Sequence, residues 1–479
     1  MTYVLSFILP LIFILSYNGF FVIIFNKKFG KILPFSLITM TLTLFISQLI
    51  FQTFTVGIIA DLLICLSFFV LLFTKKIERL KGNFFTAGLF ITTVIYVFYY
   101  IIDFDRILVV WDEVKFWGPF TKEMFRLDKF YFVDEANVLM HKDYPPLISL
   151  FETLWCKITN TCSDMNITVA YNVLMTSVCI PYIAELIKGK NRLIRIVKTC
   201  LLFLGTIAVL IAFGGPEKEG IFNTIYTDYF IGFLLALGIV LFFEEDFFKN
   251  KYNYILLCAI CIALILSKQI GIVFYGILIF AYLLKIIFDR KELTESKSID
   301  KECMKLIALI CIPLVFSVIW KLQIDNYSID KQFNYTAVKA EKIIDVFTNN
   351  NLTENQMQFT PKFMDSLLNK NVTALGVNIS YTIATVFILL GIIALFIYNK
   401  KKKQKLENKR VLFTGTILIA TNIVYLIALY LTYMLFFWDI ERTNIACFNR
   451  YITTLLIPEI IVVGVVLFKN FRNEKESKN

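Results

Sequence analysis

The sequence predicts an all-α fold, a polytopic transmembrane helix bundle of about thirteen spans. Three observations predict it. Hydrophobic residues make up 58% of the 479-residue chain and mean hydropathy is +0.70, far above an ordinary soluble domain. Apolar runs of roughly 17–25 residues recur along the whole length, each long enough to cross about 30 Å of hydrocarbon. The basic residues gather in short clusters between those runs, as they do in cytoplasmic loops. That clustering also accounts for the net charge of +11 without nucleic acid as a partner. No cleavable signal is evident, because Thr2 to Phe25 is long enough to span and no small-residue cleavage site follows.

The spans follow in order. The first, about 3–25, ends at Lys27, Lys28 and Lys31, which puts that end in the cytoplasm and the N-terminus outside. The second and third, about 34–51 and 54–74, form a hairpin returning to Lys75, Lys76, Arg79 and Lys81. The fourth, about 84–102, leads outward to a loop over roughly 103–166. That loop has eleven acids against seven Lys and Arg and so shows no inside bias. The fifth, about 167–187, returns to Lys188, Lys190, Arg192, Arg195 and Lys198. The sixth, about 199–213, leads out to 214–219, and the seventh, about 229–245, comes back to Lys249 and Lys251. The eighth and ninth, about 253–267 and 270–288, turn around Ser267-Lys268-Gln269. The tenth, about 305–321, leads to an external segment, 322–378, polar, Asn-rich and without a strong period. It reads equally as a lid and as a disordered connector. The eleventh, about 379–398, returns to Lys400, Lys401, Lys402 and Lys403. The twelfth and thirteenth, about 411–436 and 451–468, enclose an external turn with Trp438, Arg442, Asn449 and Arg450, and the basic C-terminal tail stays inside.

This topology divides the chain into added N-terminal spans (1–83), a core with its external loop (84–321), the segment 322–378, and C-terminal spans with the tail (379–479). It also sorts the polar residues. Asp112, Glu113, His141, Asp143, Glu217, Glu219, Asp228, Lys268 and Arg450 all fall on the external side, whereas the cytoplasmic loops hold generic charge. Charged groups beside hydrocarbon are costly, so this one-sided set marks an external site at the membrane surface.

Within the loop, residues 112–128 carry Phe116, Phe120, Met124 and Phe125 at helical spacing and read as an amphipathic interfacial helix. Residues 147–158 are too short to span and read as a second, started by Pro145-Pro146. Most cysteines lie in apolar runs, and Cys156 and Cys162 are available to pair in an oxidising compartment. No spacing resembles a zinc site, and one histidine gives little to build one with, so any metal or other cofactor stays unassigned. Asn351, Asn371 and Asn378 begin N-x-S/T sequons, which matter only in a glycosylating pathway.

Asp112 and Glu113 are adjacent and point in different directions from a helix start. One carboxylate can take a proton while the other orients an acceptor or helps hold a cation. Desolvation against Trp111, Phe116 and Trp117 suits a general base. Asp112 reads equally as the N-cap of the interfacial helix.

At these residues the chain resembles the GT-C superfamily of membrane glycosyltransferases. Asp112-Glu113-Val114-Lys115-Phe116 resembles the Asp-Glu pair of protein O-mannosyltransferases and their bacterial relatives. His141-Lys142-Asp143-Tyr144-Pro145-Pro146 is similar to the His-x-Asp-Tyr-Pro-Pro string of bacterial members. Tyr226-Thr227-Asp228, Ser267-Lys268-Gln269-Ile270-Gly271 and Asn449-Arg450-Tyr451 look like further polar positions of such proteins. The likeness covers roughly 84–321, a GT-C-like core with two interfacial helices in a large external loop. The three spans before it depart from the pattern.

The resemblance implies transfer of a sugar from a polyprenyl-phosphate donor to a cell-envelope glycan, lipid or protein acceptor, outside the plasma membrane. It makes Asp112 the base, with Glu113 beside it, and Lys268 and Arg450 the cations that meet the lipid phosphate. It places His141, Asp143, Tyr144 and Asp228 around the substrate. Four of these have other readings: snorkelling for Lys268, an ordinary loop charge for Arg450, a structural hydrogen bond for His141, and either a helix cap or a partner for Lys268 for Asp228. Two other activities compete. A polysaccharide polymerase or ligase is expected to carry Arg and His in a large later loop, and 322–378 has neither. A lipid-linked-sugar transporter or flippase favours inverted repeats and midplane charges.

The topology is tested by labelling. Cysteine at Asn137 should react with an impermeant thiol reagent on intact cells and cysteine at Lys402 should not. The reverse pattern overturns the external site.

Overall fold

The computed structural model describes residues 2–74, 77–186, 192–213, 220–244, 247–295, 298–331, 338–372 and 379–476. Among them the chain is helical throughout, with one isolated bridge between Asn371 and Ser380. Glu217, Glu219 and Asn378 lie outside the described residues.

Helices α1 (Thr2–Phe25), α2 (Phe29–Phe51) and α3 (Thr55–Leu72) come first. The pair α4 (Ile77–Asn83) and α5 (Ala87–Ile102) is bent by 71°. A π-turn, Glu113–Trp117, leads into α6 (Gly118–Leu127). Then come α7 (Leu147–Thr159), α8 (Asp164–Ser177), α9 (Ile180–Leu186), α10 (Arg192–Phe213), α11 (Thr227–Leu241), α12 (Lys251–Ser267) and α13 (Gly271–Phe288). The chain ends with α14 (Arg290–Glu295), α15 (Ile299–Asn326), α16 (Ala340–Thr348), α17 (Glu354–Asn369), α18 (Tyr381–Lys401), α19 (Lys405–Leu435), α20 (Asp439–Asn444) and α21 (Phe448–Glu476).

Among the described residues nine helical stretches are long and apolar enough to cross a membrane, with α8 and α9 counted as one; the bent pair α4–α5 adds a tenth if it crosses as one. The apolar stretch Val197–Ala212 of α10 and helices α11 and α12 are apolar but shorter. The chain is thus an α-helical membrane bundle. Its outer surface fits that reading, with Leu63, Leu66 and Val70 of α3, Val315 and Val318 of α15, and Phe387 and Leu390 of α18 exposed. Helix α11 is buried along its whole length and forms the centre.

Helices α11 and α21 run together from one end of the bundle. A Cβ on Gly232 would meet the Thr454 carbonyl at 2.9 Å, so glycine lets the two backbones close up. Asp228 and Arg450, each at the start of its helix, are thereby brought side by side. Gly271 does the same for the α12–α13 hairpin, where a Cβ would strike the Leu264 carbonyl at 1.9 Å. The sharp turn lifts Lys268 to its tip, toward the same end.

The N-terminal helices are fastened into the bundle at both ends. At the far end Lys31 pairs with Glu244 at 2.8 Å and Lys28 with Glu185 at 3.5 Å. At the site end Asp128 accepts hydrogen bonds from the Thr53 hydroxyl and from the Thr55 amide and hydroxyl, at 3.3 and 2.9 Å for the latter two. Phe54 is buried against Phe130.

The helix expected over 112–128 is present, as a π-turn that runs without a break into α6. Two expectations need correction. The second interfacial helix, α7, is enclosed by protein, with Lys157 and Ile158 alone partly exposed. Its polar residues Ser149, Glu152 and Thr153 share one face, and they are satisfied inside the protein, Glu152 accepting a hydrogen bond from Thr121 and Thr153 donating to the Ser149 carbonyl. Segment 322–378 is not periodless. Helix α17 starts with a Thr353/Gln356 capping box and sets Phe359, Phe363 and Leu367 four residues apart, against Tyr430, Tyr433 and Phe448. Cys156 and Cys162 are free thiols, and burial raises the pKa of Cys156.

Gly232→Ala should force α11 and α21 apart and lower stability by about 1–3 kcal/mol, the usual cost of overpacking. Thermal unfolding in detergent reads this, and an unchanged midpoint would mean that the close approach is not needed.

Candidate functional site

The site is assembled by lacing two loops together. The Glu113 side chain is fully buried, and its carboxylate accepts from the amides of Val109 and Val110, both at 3.2 Å, and of Ile225 at 3.0 Å. Burial pushes this carboxyl up, and the amides oppose that by stabilising the charged form. Arg106 adds a second stitch, donating to Asp103 and to the carbonyls of Phe222 and Asn223. Irregular residues before Asp112 are thus tied to those before Asp228. Glu113 is committed to this work, and the reading of it as a partner of Asp112 in acceptor chemistry gains nothing from its position.

Asp112 makes no side-chain cap bond to the helix it precedes. Its carboxylate instead accepts from the Arg450 guanidinium at 2.6 Å, across 338 residues of sequence. Arg450 also points Nε at Asp228, 3.4 Å away. Asp228 accepts from Lys268 through both oxygens, at 2.7 and 2.8 Å. The four groups form one chain of alternating charge. The Arg450 and Lys268 side chains are 7% and 12% exposed, Asp228 2% and Asp112 20%. The surface positions expected for Lys268 and Arg450 are therefore corrected to a buried, charge-paired cluster, in which Arg450 Nε is near Asp228 without a hydrogen bond. Desolvation this severe is tolerated only with such pairing.

Aromatic rings wall the cluster. The guanidinium lies 4.2 Å from the Tyr226 ring centroid and 5.1 Å from that of Tyr451, and the Lys268 ammonium 5.4 Å from Tyr451. Tyr144 closes one side, with its ring stacked on His141 at 4.7 Å and tilted on Trp117 at 5.3 Å. His141 adopts a left-handed backbone, φ 58°, and packs against Phe116 at 4.3 Å as well as Tyr144. Asp143 accepts from Gln269, the neighbour of Lys268, at 3.2 Å, and its carbonyl accepts from the Trp320 indole at 3.2 Å. Arg442 binds the carbonyls of Tyr433, Met434 and Phe437 and so locks the turn that leads to Arg450.

A small cavity of about 40 Å³ lies within this wall, lined by Tyr144, Asp228, Lys268, Gln269, Tyr425 and Tyr451 among others. Beside it a larger cavity of about 480 Å³ runs between α13, α15 and α19. Gln269, Ile270 and Thr432 border both. The larger one is mostly apolar, with Ile265, Val273, Leu431, Leu435 and Phe436 in its wall. The arrangement thus offers fixed cations and a carboxylate at the head of an apolar channel. Among the described residues no group of three or more His, Cys, Asp and Glu is placed to hold a metal ion.

Arg106, Trp320, Tyr425 and Arg442 escape sequence reasoning as contributors. Trp320 near a span end looks like any interface anchor, and Tyr425 sits mid-helix with no pattern to mark it. Arg106 carries the one usable signal, an arginine in a segment otherwise apolar from Ile107 to Trp111.

Comparison with known proteins gives no match to a protein-family model, a curated protein or a solved structure.

Glu113→Ala should leave three amides without their acceptor and destabilise the protein by on the order of 2–4 kcal/mol. Proteolysis within 103–113 should speed up in parallel. A variant with wild-type unfolding and cleavage would remove the lacing role.

Proposed function

We propose that this chain is an integral membrane glycosyltransferase of GT-C type that moves a sugar from a polyprenyl-phosphate donor to a cell-envelope acceptor. In this reading thirteen helices cross the plasma membrane, the N-terminus and the site lie outside, and the C-terminus is cytoplasmic. The observation that carries it is a buried Arg–Lys pair whose small cavity shares Gln269, Ile270 and Thr432 with a cavity of about 480 Å³, mostly apolar but also lined by Asp143, Lys321 and Lys331. A lipid phosphate has this division, a long hydrocarbon chain and one compact anion. Arg grips such an anion through several N–H groups and Lys adds a point charge.

The chemistry follows from the residues. The acceptor hydroxyl attacks the anomeric carbon, and Asp112, the most exposed member of the cluster, takes its proton. The bond from the anomeric carbon to phosphate oxygen breaks, and the electron pair stays on that oxygen. The extra charge on the departing polyprenyl phosphate develops against Arg450 and Lys268, which are already oriented. Tyr144, Tyr226 and Tyr451 keep water from those cations, which strengthens their effect.

A lipid-linked-sugar transporter is the second reading, on one observation. Asp61 of α3 and Glu459 of α21 are buried carboxyls inside apolar helices, the latter bonded by Asn422 at 2.6 Å. Detergent separates the two readings, since transfer needs no compartments and transport does.

In detergent with a polyprenyl-phosphate sugar and an envelope acceptor, the wild type should form product. Asp112→Asn should lower turnover by roughly two to four powers of ten, the usual range for a lost general base. Arg450→Lys keeps the charge but loses the fork and should raise the KM for donor roughly tenfold. Full activity in Asp112→Asn would remove Asp112 from the reaction, and transport without transfer would favour the second reading.

A further inference from the structure

The cations that would receive a donor phosphate already hold carboxylates. Lys268 is bound to both oxygens of Asp228, and Arg450 is bound to Asp112 and faces Asp228. The cavity beside them, about 40 Å³, has room for a few waters and not for a sugar phosphate. For an anion to enter, one carboxylate has to leave. The two are not equivalent. Asp228 sits at the start of the central helix, 2% exposed and held twice by Lys268. Asp112 is 20% exposed and uses one oxygen on one guanidinium nitrogen. It precedes a π-turn without capping it, and residues on its outer side, Val109 and Trp111, are exposed. Asp112 is the weaker hold and has somewhere to go.

We propose that Asp112 is a built-in competitor for Arg450, displaced when a phosphate of the donor binds, so that the base is released toward the acceptor only with donor in place. The inference rests on the proposed lipid-phosphate reading of the site. Charge favours the exchange. The two cations and two carboxylates sum to zero, and a phosphate diester brings one negative charge as Asp112 moves outward toward water. After transfer the lipid phosphate is a monoester with more charge, which holds Asp112 off until the product departs. A carboxylate clamped by arginine is a poor base, so the pairing couples proton removal to donor binding.

The test is binding of a long-chain polyprenyl phosphate, without sugar or acceptor, to the purified full chain in nanodiscs. Native mass spectrometry gives the affinity. Asp112→Asn cannot compete for Arg450 as an anion and should bind roughly tenfold tighter than wild type. Asp112→Glu retains the competitor and should stay near wild type. On an Arg450→Gln background the Asp112→Asn gain should vanish, since there is no guanidinium to contest; this double-mutant cycle separates competition from a general change of charge. Thermal unfolding shows whether each variant is folded, and Asp112→Glu carries the comparison if Asp112→Asn is not: much tighter binding by Asp112→Glu would contradict the exchange. Unchanged or weaker binding in folded Asp112→Asn overturns the competition while leaving the donor reading intact. No binding by the wild type or by any variant overturns both.

Discussion

A guanidinium taken almost wholly out of water has to be neutralised where it stands, and the arrangement of this protein's site end follows from that need. Arg450 is held between Asp112 and Asp228, and Lys268 completes the chain of charge. Coulomb attraction in such a setting is offset by the desolvation of each ion, so the cluster is a poor device for stability alone. Removing one member leaves a buried charge without its partner, which is far more costly than never having built the cluster. The fold therefore has to deliver all four groups together. Gly232 does so by letting α11 and α21 touch, and Gly271 by folding the α12–α13 hairpin tightly enough to present Lys268. Glu113 and Arg106 do so by stitching the loop of Asp112 to the loop before Asp228.

The remaining elements divide the labour. The N-terminal helices hold the site loop from outside, through Asp128 and Phe54, and anchor at the far end through Lys28 and Lys31. Helices α13, α15 and α19 leave an apolar cavity that ends at Gln269, next to the charges. Polar chemistry and apolar binding are thus kept in adjacent but separate compartments.

Much of the helical framework is legible in the sequence, because length and hydropathy dominate when the solvent is hydrocarbon. The helices fall close to the expected runs, with α15 longer at both ends, α10 and α19 at their starts and α21 at its end. Sidedness singled out nine residues, and four of them, Asp112, Asp228, Lys268 and Arg450, are gathered into one charged cluster. Their pairing was not legible in full. Asp228 with Lys268 was one alternative, but nothing local links Asp112 to Arg450. The lacing by Glu113 is hidden from the sequence for a related reason. Its partners are backbone amides, which no sequence pattern displays. The enclosure of α7 was hidden by its length, since a short apolar helix beside a membrane looks interfacial until its neighbours are known. In 322–378 the asparagines masked the four-residue spacing of Phe359, Phe363 and Leu367.

The account's central claim is that the Arg450–Lys268 pair receives a lipid phosphate whose chain lies in the adjoining apolar cavity. A structure of the full chain in nanodiscs with a polyprenyl-phosphate sugar tests it most directly. The account predicts phosphate within hydrogen-bonding reach of Arg450 and Lys268, the prenyl chain between α13, α15 and α19, and the sugar beside Asp112. A phosphate bound elsewhere, with Arg450 and Lys268 still held by their carboxylates, would contradict it.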